Sequence, residues 1–306
     1  MVLPTLPTTW EIDGVSLNTG ADADGFSYIV KSAKGWRDGA PARPQLTNRP
    51  TASGAYRSSN YSSSRVYELD GIAQSPTKDS RELLADIIAG LCLGPDDQFQ
   101  LICHERTRSL YAWVERSGDI VVTDLPDGFT VAFNVQLVAT DSRKYSLQTK
   151  SGQTTLAQTN VEGVYWNGPA GSTGVEWNGP ASPITGTVWQ ASSGSSGFIT
   201  IDNDGTAPTP VLFTITAPSS GTLPQPTVTN TITGETITYG GTMVTGDVMT
   251  IDTGTGLALL NGNDVGALFT KFQLFEVPKR STIAVQFTAA GPADTASLLA
   301  QWSDAY

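Results

Sequence analysis

Hydrophobicity in this chain keeps a period of two. Phe129, Val131, Phe133, Val135 and Leu137 alternate with Thr130, Ala132, Asn134 and Gln136, so in an extended strand one face is apolar and the other polar or small. Shorter runs of the same kind occur at 120–123, 198–201, 211–216, 228–233, 236–239, 248–251 and 283–287, each bounded by Gly, Pro, Asn or Asp. Many short strands separated by turn signals build β-sandwiches or barrels rather than helical bundles. The 31 glycines and 18 prolines among 306 residues match so many turns, and without a Gly-X-Y period they do not signal a fibrous chain.

One stretch keeps a helical period instead. Within 79–91, Leu83, Leu84, Ile87, Ile88 and Leu91 recur at three- and four-residue steps, which gathers them on one face of a helix. Asp79 is placed to cap the free amides, Glu82 stands three residues on as in a capping box, and Gly90, Gly94 and Pro95 supply stop signals. The expectation is a single amphipathic helix covering one face of a sheet.

Between 150 and 202 the composition shifts toward Gly, Ser and Thr, with Glu162 and Glu176 the charges inside the interval. An imperfect tandem repeat lies there, Gly163-Val164-Tyr165-Trp166-Asn167-Gly168-Pro169-Ala170 followed by Gly174-Val175-Glu176-Trp177-Asn178-Gly179-Pro180-Ala181. Asn-Gly favours left-handed turns, so each copy reads as a hairpin-like turn presenting a tryptophan. The expected fold is all-β with one short helix, in two β-sandwich domains. Residues 1–148 form the N-terminal domain, 149–197 a junction or insertion, and 198–306 the C-terminal domain.

Net charge is −11, and fifteen of the eighteen Lys and Arg fall in the first 150 residues. Affinity for nucleic acid rests on Lys/Arg neutralising phosphate, so a non-basic chain of this kind is not built to grip DNA. Cys92 and Cys103 are too few for a disulfide scaffold and lack a metal-binding C-x-x-C spacing. They read as reduced, partly buried thiols. The first ten residues lack a basic start, and no apolar run approaches the roughly 18 residues of a membrane-spanning helix. This composition is read as a soluble chain assembled in the cytoplasm.

Catalytic patterns are weak. His104, the one histidine, follows Cys103, and adjacent residues on a strand point to opposite faces, so they make no nucleophile–base pair. Asp252-Thr253-Gly254 matches the aspartic-protease tripeptide, but that chemistry needs two carboxylates sharing a proton and no second copy exists. Asp202-Asn203-Asp204-Gly205 begins like a calcium loop, yet Phe213 stands where a bidentate Glu belongs. Both segments read as turns. No catalytic residue, metal site or cofactor is assigned, and the chain is read as non-enzymatic. Trp166, Trp177 and Trp189, in an almost uncharged setting, are candidates for stacking on a sugar ring. That defines an alternative reading, a carbohydrate-binding module that recognises cell-wall sugar.

Two segments together resemble the distal tail protein family of long-tailed bacteriophages. The first is the alternating strand running into Ala139-Thr140-Asp141-Ser142-Arg143-Lys144-Tyr145-Ser146, similar to the family's Asp-Pro-Arg-x-Tyr signature with Ser142 in place of proline. The second runs through Asn203-x-Gly205, Pro210-Val211-Leu212-Phe213-Thr214-Ile215, Asn230, Thr233-Gly234, Gly246-Asp247, Met249, Ile251-Asp252-Thr253, Asn261-Gly262 and Pro278. There the family's closing Pro-Gly-x-Asn turn is replaced by Pro278-Lys279-Arg280-Ser281. On this resemblance Asp141, Arg143, Tyr145, Asn203, Gly205, Asp252 and Thr253 are structural signature residues.

The resemblance implies a homo-hexameric ring at the virion tail tip, formed by the N-terminal domains, with a galectin-like C-terminal sandwich. Its partners would be the tail tube protein on one side and the tip hub or tail-associated lysin on the other; the alternative is a receptor-binding tail protein that recognises host cell-wall glycan. DNA would pass through without being specifically bound, and no membrane insertion is expected. The polar, arginine-dotted segment from Arg37 to Arg65, with few apolar residues, is expected to form a long loop or β-arm at a subunit or tube contact. Arg49, Tyr56, Arg57 and Tyr61 are its candidate contact residues.

Overall fold

A computed structural model describes residues 8–39, 41–44, 46–51, 53, 55–57, 61–94, 98–157, 195–291 and 295–306. Among them the chain is nearly all β with one α-helix, as the alternation requires. It divides into two compact units, one of residues 1–149 with 205–207 and 303–306, the other of 150–204 with 208–302.

In the first unit the strands are β1 (Thr9–Ile12), β2 (Val15–Leu17), β3 (Ser27–Lys34), β4 (Ala42–Arg43), β5 (Leu46–Asn48), β6 (Ala55–Arg57), β7 (Tyr61–Ser62) and β8 (Arg65–Gln74). The helix α1 (Arg81–Ala89) follows, then β9 (Phe99–His104), β10 (Ser109–Arg116), β11 (Val121–Asp124), β12 (Thr130–Ala139) and β13 (Tyr145–Thr155). One sheet has the order β2-β1-β9-β10-β13 and a second the order β3-β8-β12-β11, the two meeting where the end of β10 pairs with β12. The long β8–β12 ladder runs from Arg65↔Ala139 to Gln74↔Thr130 without a register shift, and it carries the inward row Tyr67, Leu69, Val131, Phe133, Val135 and Leu137 into the core. Gly71 is required on that ladder, because a Cβ there would meet the Phe133 ring at 2.3 Å.

The helix forms where its period predicts and buries Leu84 and Ile88 against β8, β11 and β12. Its start differs from expectation. Ser80 rather than Asp79 takes the cap position, and its hydroxyl turns back to the Thr77 carbonyl at 3.0 Å instead of capping a helix amide. The Thr77–Ser80 pairing fills the place that the expected Asp79–Glu82 capping box would occupy.

The second unit continues with β14 (Phe198–Asn203), β15 (Leu212–Thr216), β16 (Thr222–Pro224), β17 (Thr227–Asn230), β18 (Thr236–Tyr239), β19 (Thr242–Val244) and β20 (Val248–Asp252). It ends with β21 (Ala258–Leu260), β22 (Asn263–Asp264), β23 (Phe269–Phe272), β24 (Ser281–Thr288) and β25 (Ser297–Ala305). Strands β14-β24-β17-β18-β23 make one sheet, β25-β15-β20-β21-β22 lie in another, and β16 pairs with β19. Inward residues of both sheets, among them Ile201, Val285, Phe287, Phe213, Met249 and Leu298, share one core, which is a β-sandwich.

Two local readings are corrected. The run over 228–233 ends as a strand at Asn230, whose Oδ1 accepts the Ile232 amide while its carbonyl accepts the Gly234 amide at 2.8 Å. An Asx turn there overrides the β propensity of Ile232 and Thr233. Strand β13 runs on to Thr155, so the Gly/Ser/Thr-rich interval begins as strand. At the altered family turn, Arg280 takes a left-handed φ of 50° and the Ser281 hydroxyl donates to the Pro278 carbonyl at 2.8 Å. The hairpin therefore closes without the family's glycine.

Candidate functional site

The Asp-x-Arg-x-Tyr residues converge. Asp141 follows the end of β12 and Tyr145 opens β13, so one tight connection brings all three side chains to one carboxylate. Asp141 Oδ1 accepts the Arg143 amide at 3.0 Å and the Arg143 Nε at 2.9 Å, and Oδ2 accepts the Tyr145 hydroxyl. Burial works to raise the Asp141 pKa, but the hydrogen bonds from Arg143 and Tyr145 outweigh it and hold the carboxyl below the ordinary range. The signature is an Asx-type corner locked by a charge-assisted bond. Lys144, between the signature residues, is drawn inward, and its Nζ donates to the Trp36 carbonyl at 2.7 Å.

The C-terminal signature residues also act in turns and packing. Asn203 is buried and donates from Nδ2 to the Val277 and Pro278 carbonyls at 3.2 and 3.3 Å. Gly205 leaves no room for a side chain, since a Cβ would lie 1.9 Å from the Ala305 carbonyl oxygen. Asp252 ends β20 with Oδ1 accepting the Gly254 amide at 2.8 Å and Oδ2 the Thr255 hydroxyl at 2.8 Å. Thr253 is buried, and its Oγ1 accepts the Val211 amide at 2.8 Å. The protease-like tripeptide is thus a strand running into a turn, and its carboxylate is occupied in shaping that turn.

The segment after Trp36 forms a self-paired β-arm. Strand β4 pairs with β7 and β5 with β6, in the registers Arg43↔Tyr61 and Leu46↔Arg57. Leu46 and Tyr56 are 64% and 59% exposed, and the Arg49 guanidinium lies 5.3 Å from the centre of the Tyr56 ring. From Gly39 to Tyr67 the sequence carries no carboxylate and four arginines, at 43, 49, 57 and 65. A positively charged, partly apolar hairpin on an acidic chain is an arrangement suited to contact with another surface. The Arg57 and Tyr61 side chains, and the sugar-stacking candidates Trp166, Trp177 and Trp189, lie outside what the structure describes.

His104 and Cys103 point to opposite faces as expected. Cys103 is fully buried, while His104 pairs through Nδ1 with the Ser109 hydroxyl at 2.8 Å and through Nε2 with Glu11 at 3.0 Å. Cys92 and Cys103 are buried free thiols, and burial pushes both pKa values up to about 12, far from a reactive thiolate.

Sequence reasoning missed the outward face of β10. Tyr111 and Trp113 alternate with buried Leu110, Ala112 and Val114, so that strand is apolar on both faces, and the rule that assigns one face to solvent does not find it. Trp113 borders a groove of about 390 Å³ with Glu11, Asp13, Phe99, Gln100 and Ile102. Arg65 was read only as the end of the arm, and it is buried.

Comparison with known proteins supplies the class. Residues 204–291 match the family model described as siphovirus-type tail component, C-terminal domain. No curated protein matches the chain in sequence. Among solved structures, the fold corresponds over 98% of this chain and 99% of the other to the Dit (gp 19.1) protein of phage SPP1, at TM-score 0.61 and 12% identity. That protein is described as a paradigm of the hub adsorption apparatus in phages infecting Gram-positive bacteria. Chains of the phage P2 baseplate in its activated conformation, with Ca and with Sr, correspond at TM-score 0.50, with 9% and 10% identity. These cover 97% and 96% of this chain and 98% and 97% of theirs. Residues 204–291 are thus similar to a siphovirus-type tail component domain, and the fold corresponds to these proteins over nearly the whole chain. The resemblance to the distal tail protein family is borne out.

Proposed function

We propose that this chain is the distal tail ring of a long-tailed phage, a structural protein that joins the tail tube to the tip hub and leaves a channel for DNA. The observation that carries this reading is the tail-component match at 204–291, on a fold that follows the hub protein of phage SPP1 along its whole length. The signature residues support it, since Asp141, Asp252 and Thr253 spend their polar atoms on turns and packing, as a rigid adaptor needs. In this reading residues 1–148 form a homo-hexameric ring, the β-arm meets a neighbouring subunit or the tube, and a galectin-like C-terminal sandwich carries no enzymatic activity. An acidic chain suits a DNA conduit, because a lumen that held phosphate tightly would slow ejection.

Antibody labelling of intact virions tests the placement. Gold at the tail tip, at the junction of tube and tip fibres, is the expected result; label on the capsid or along the shaft overturns the proposal.

A further inference from the structure

Strand β8 enters the first unit with a cation on its inward face. Its burial alternates so that Arg65, Tyr67 and Leu69 point inward together, and Arg65 is only 6% exposed. Among the described residues, the Arg65 Nε and Nη1, the Tyr67 hydroxyl and the Trp36 Nε1 are buried without a hydrogen bond of normal geometry, although the Arg65 side chain lies near enough to the Tyr67 hydroxyl to act on it. These groups are neighbours. The Trp36 and Tyr67 rings are 5.4 Å apart, Lys144 Nζ lies 5.1 Å from the Trp36 ring centre, and the charge of Arg65 acts on both Tyr67 and Lys144.

The surrounding carboxylates are already committed. Asp141 is held by Arg143 and Tyr145, and Glu105 by Arg108 at 2.9 Å and Arg37 at 3.9 Å. Two buried cations therefore lie close together, and no carboxylate among the described residues is bonded to either. A buried charge without a partner is costly, and arginine cannot escape the cost by losing its proton. Lys144 does respond, its pKa falling to about 8 through burial first and the nearby Arg65 charge second. The groups turned inward are a guanidinium, an ammonium, an indole N–H and a phenol. Three of these four only donate, which favours an acceptor-only ligand over water, since water must donate as well as accept.

We propose that Arg65, Tyr67, Trp36 and Lys144 form a binding site for a small monovalent anion of the chloride or acetate class. The bound anion completes the hydrogen bonding of Arg65 and ties β8 to the turn after β3 and to the start of β13. Groups buried to this degree are out of reach of a nucleic-acid backbone, which leaves a small anion as the ligand. The site stands apart from the tail-ring reading, which does not require it.

The test uses the full chain at constant ionic strength, with sodium gluconate replaced stepwise by sodium chloride and, separately, by sodium acetate. Thermal unfolding and the line width of the ³⁵Cl resonance are followed. The expected result is a saturable rise in melting temperature with chloride and a ³⁵Cl broadening that acetate competes away. Tyr67→Phe, which removes only the hydroxyl, is expected to weaken the anion dependence about tenfold. Arg65→Met is expected to abolish it, and if that variant does not fold, Arg65→Lys keeps the charge, loses the planar fork and weakens binding in the same direction. Equal melting in all salts with no ³⁵Cl broadening overturns the proposal, as does an anion dependence unchanged by Tyr67→Phe and Arg65→Lys. Chloride broadening that acetate does not displace places chloride alone in the site.

Discussion

Asp141 gathers the Arg143 amide, the Arg143 guanidinium and the Tyr145 hydroxyl on one carboxylate, which makes its charge a structural element of the corner. Its pKa is depressed in the folded chain. The stabilisation is therefore present above the ordinary carboxylate range near 4 and is lost as pH falls through the folded value. Asp141→Asn should cost about 1–2 kcal/mol at neutral pH, the lower part of the charged hydrogen-bond range because the carboxylate is partly exposed. Urea unfolding across the acid range checks this, since the gap between wild type and variant should narrow progressively as pH falls below the ordinary carboxylate range; a gap that stays constant over the whole range would assign the effect to shape instead of charge. At this scale the sequence was legible where polar side chains act locally. The spacing of Asp141, Arg143 and Tyr145 allows contact within one turn, and Asp252 followed by Gly254 signals its own Asx turn. Arg65 was not legible, because a residue four places past a polar loop reads as solvent-facing until its strand register with Ala139 is known.

Among the elements, period-two alternation located the strands, since burial imposes it directly. Strand β12 and its apolar row appear where Phe129 to Leu137 place them, shifted by one residue at the start. Ends were less legible, because they depend on which local hydrogen bond wins. Ser80 chose the Thr77 carbonyl over a helix amide, and Asn230 closed a strand three residues early. The β-arm was visible as a long segment with arginines and few apolar residues, but its self-pairing was not, because its strands are only two or three residues long. Strands that short contribute little to a core, so deleting 48–64 should leave the melting temperature within a few degrees of wild type. In the reading proposed above the same deletion removes higher oligomers, seen by light scattering. Oligomers of unchanged mass would take the arm out of the assembly, and collapse of the melting transition would make it part of the fold.

For the whole molecule, the order of weak motifs carried more information than any one of them. Gly205 alone is unremarkable in sequence, yet the 1.9 Å clearance to the Ala305 oxygen explains why a glycine stands there. Several such positions in order lead to the tail-component domain. Charge distribution excluded a basic nucleic-acid binder but did not indicate a tail protein, because net charge constrains partners and not folds. The central claim is that copies of this chain close a ring. Light scattering of the purified full chain, combined with negative-stain imaging, tests it directly: a particle of six chains with a central hole wide enough for duplex DNA is the predicted result, and a chain that stays monomeric at every concentration, with and without the tail tube protein, would contradict it.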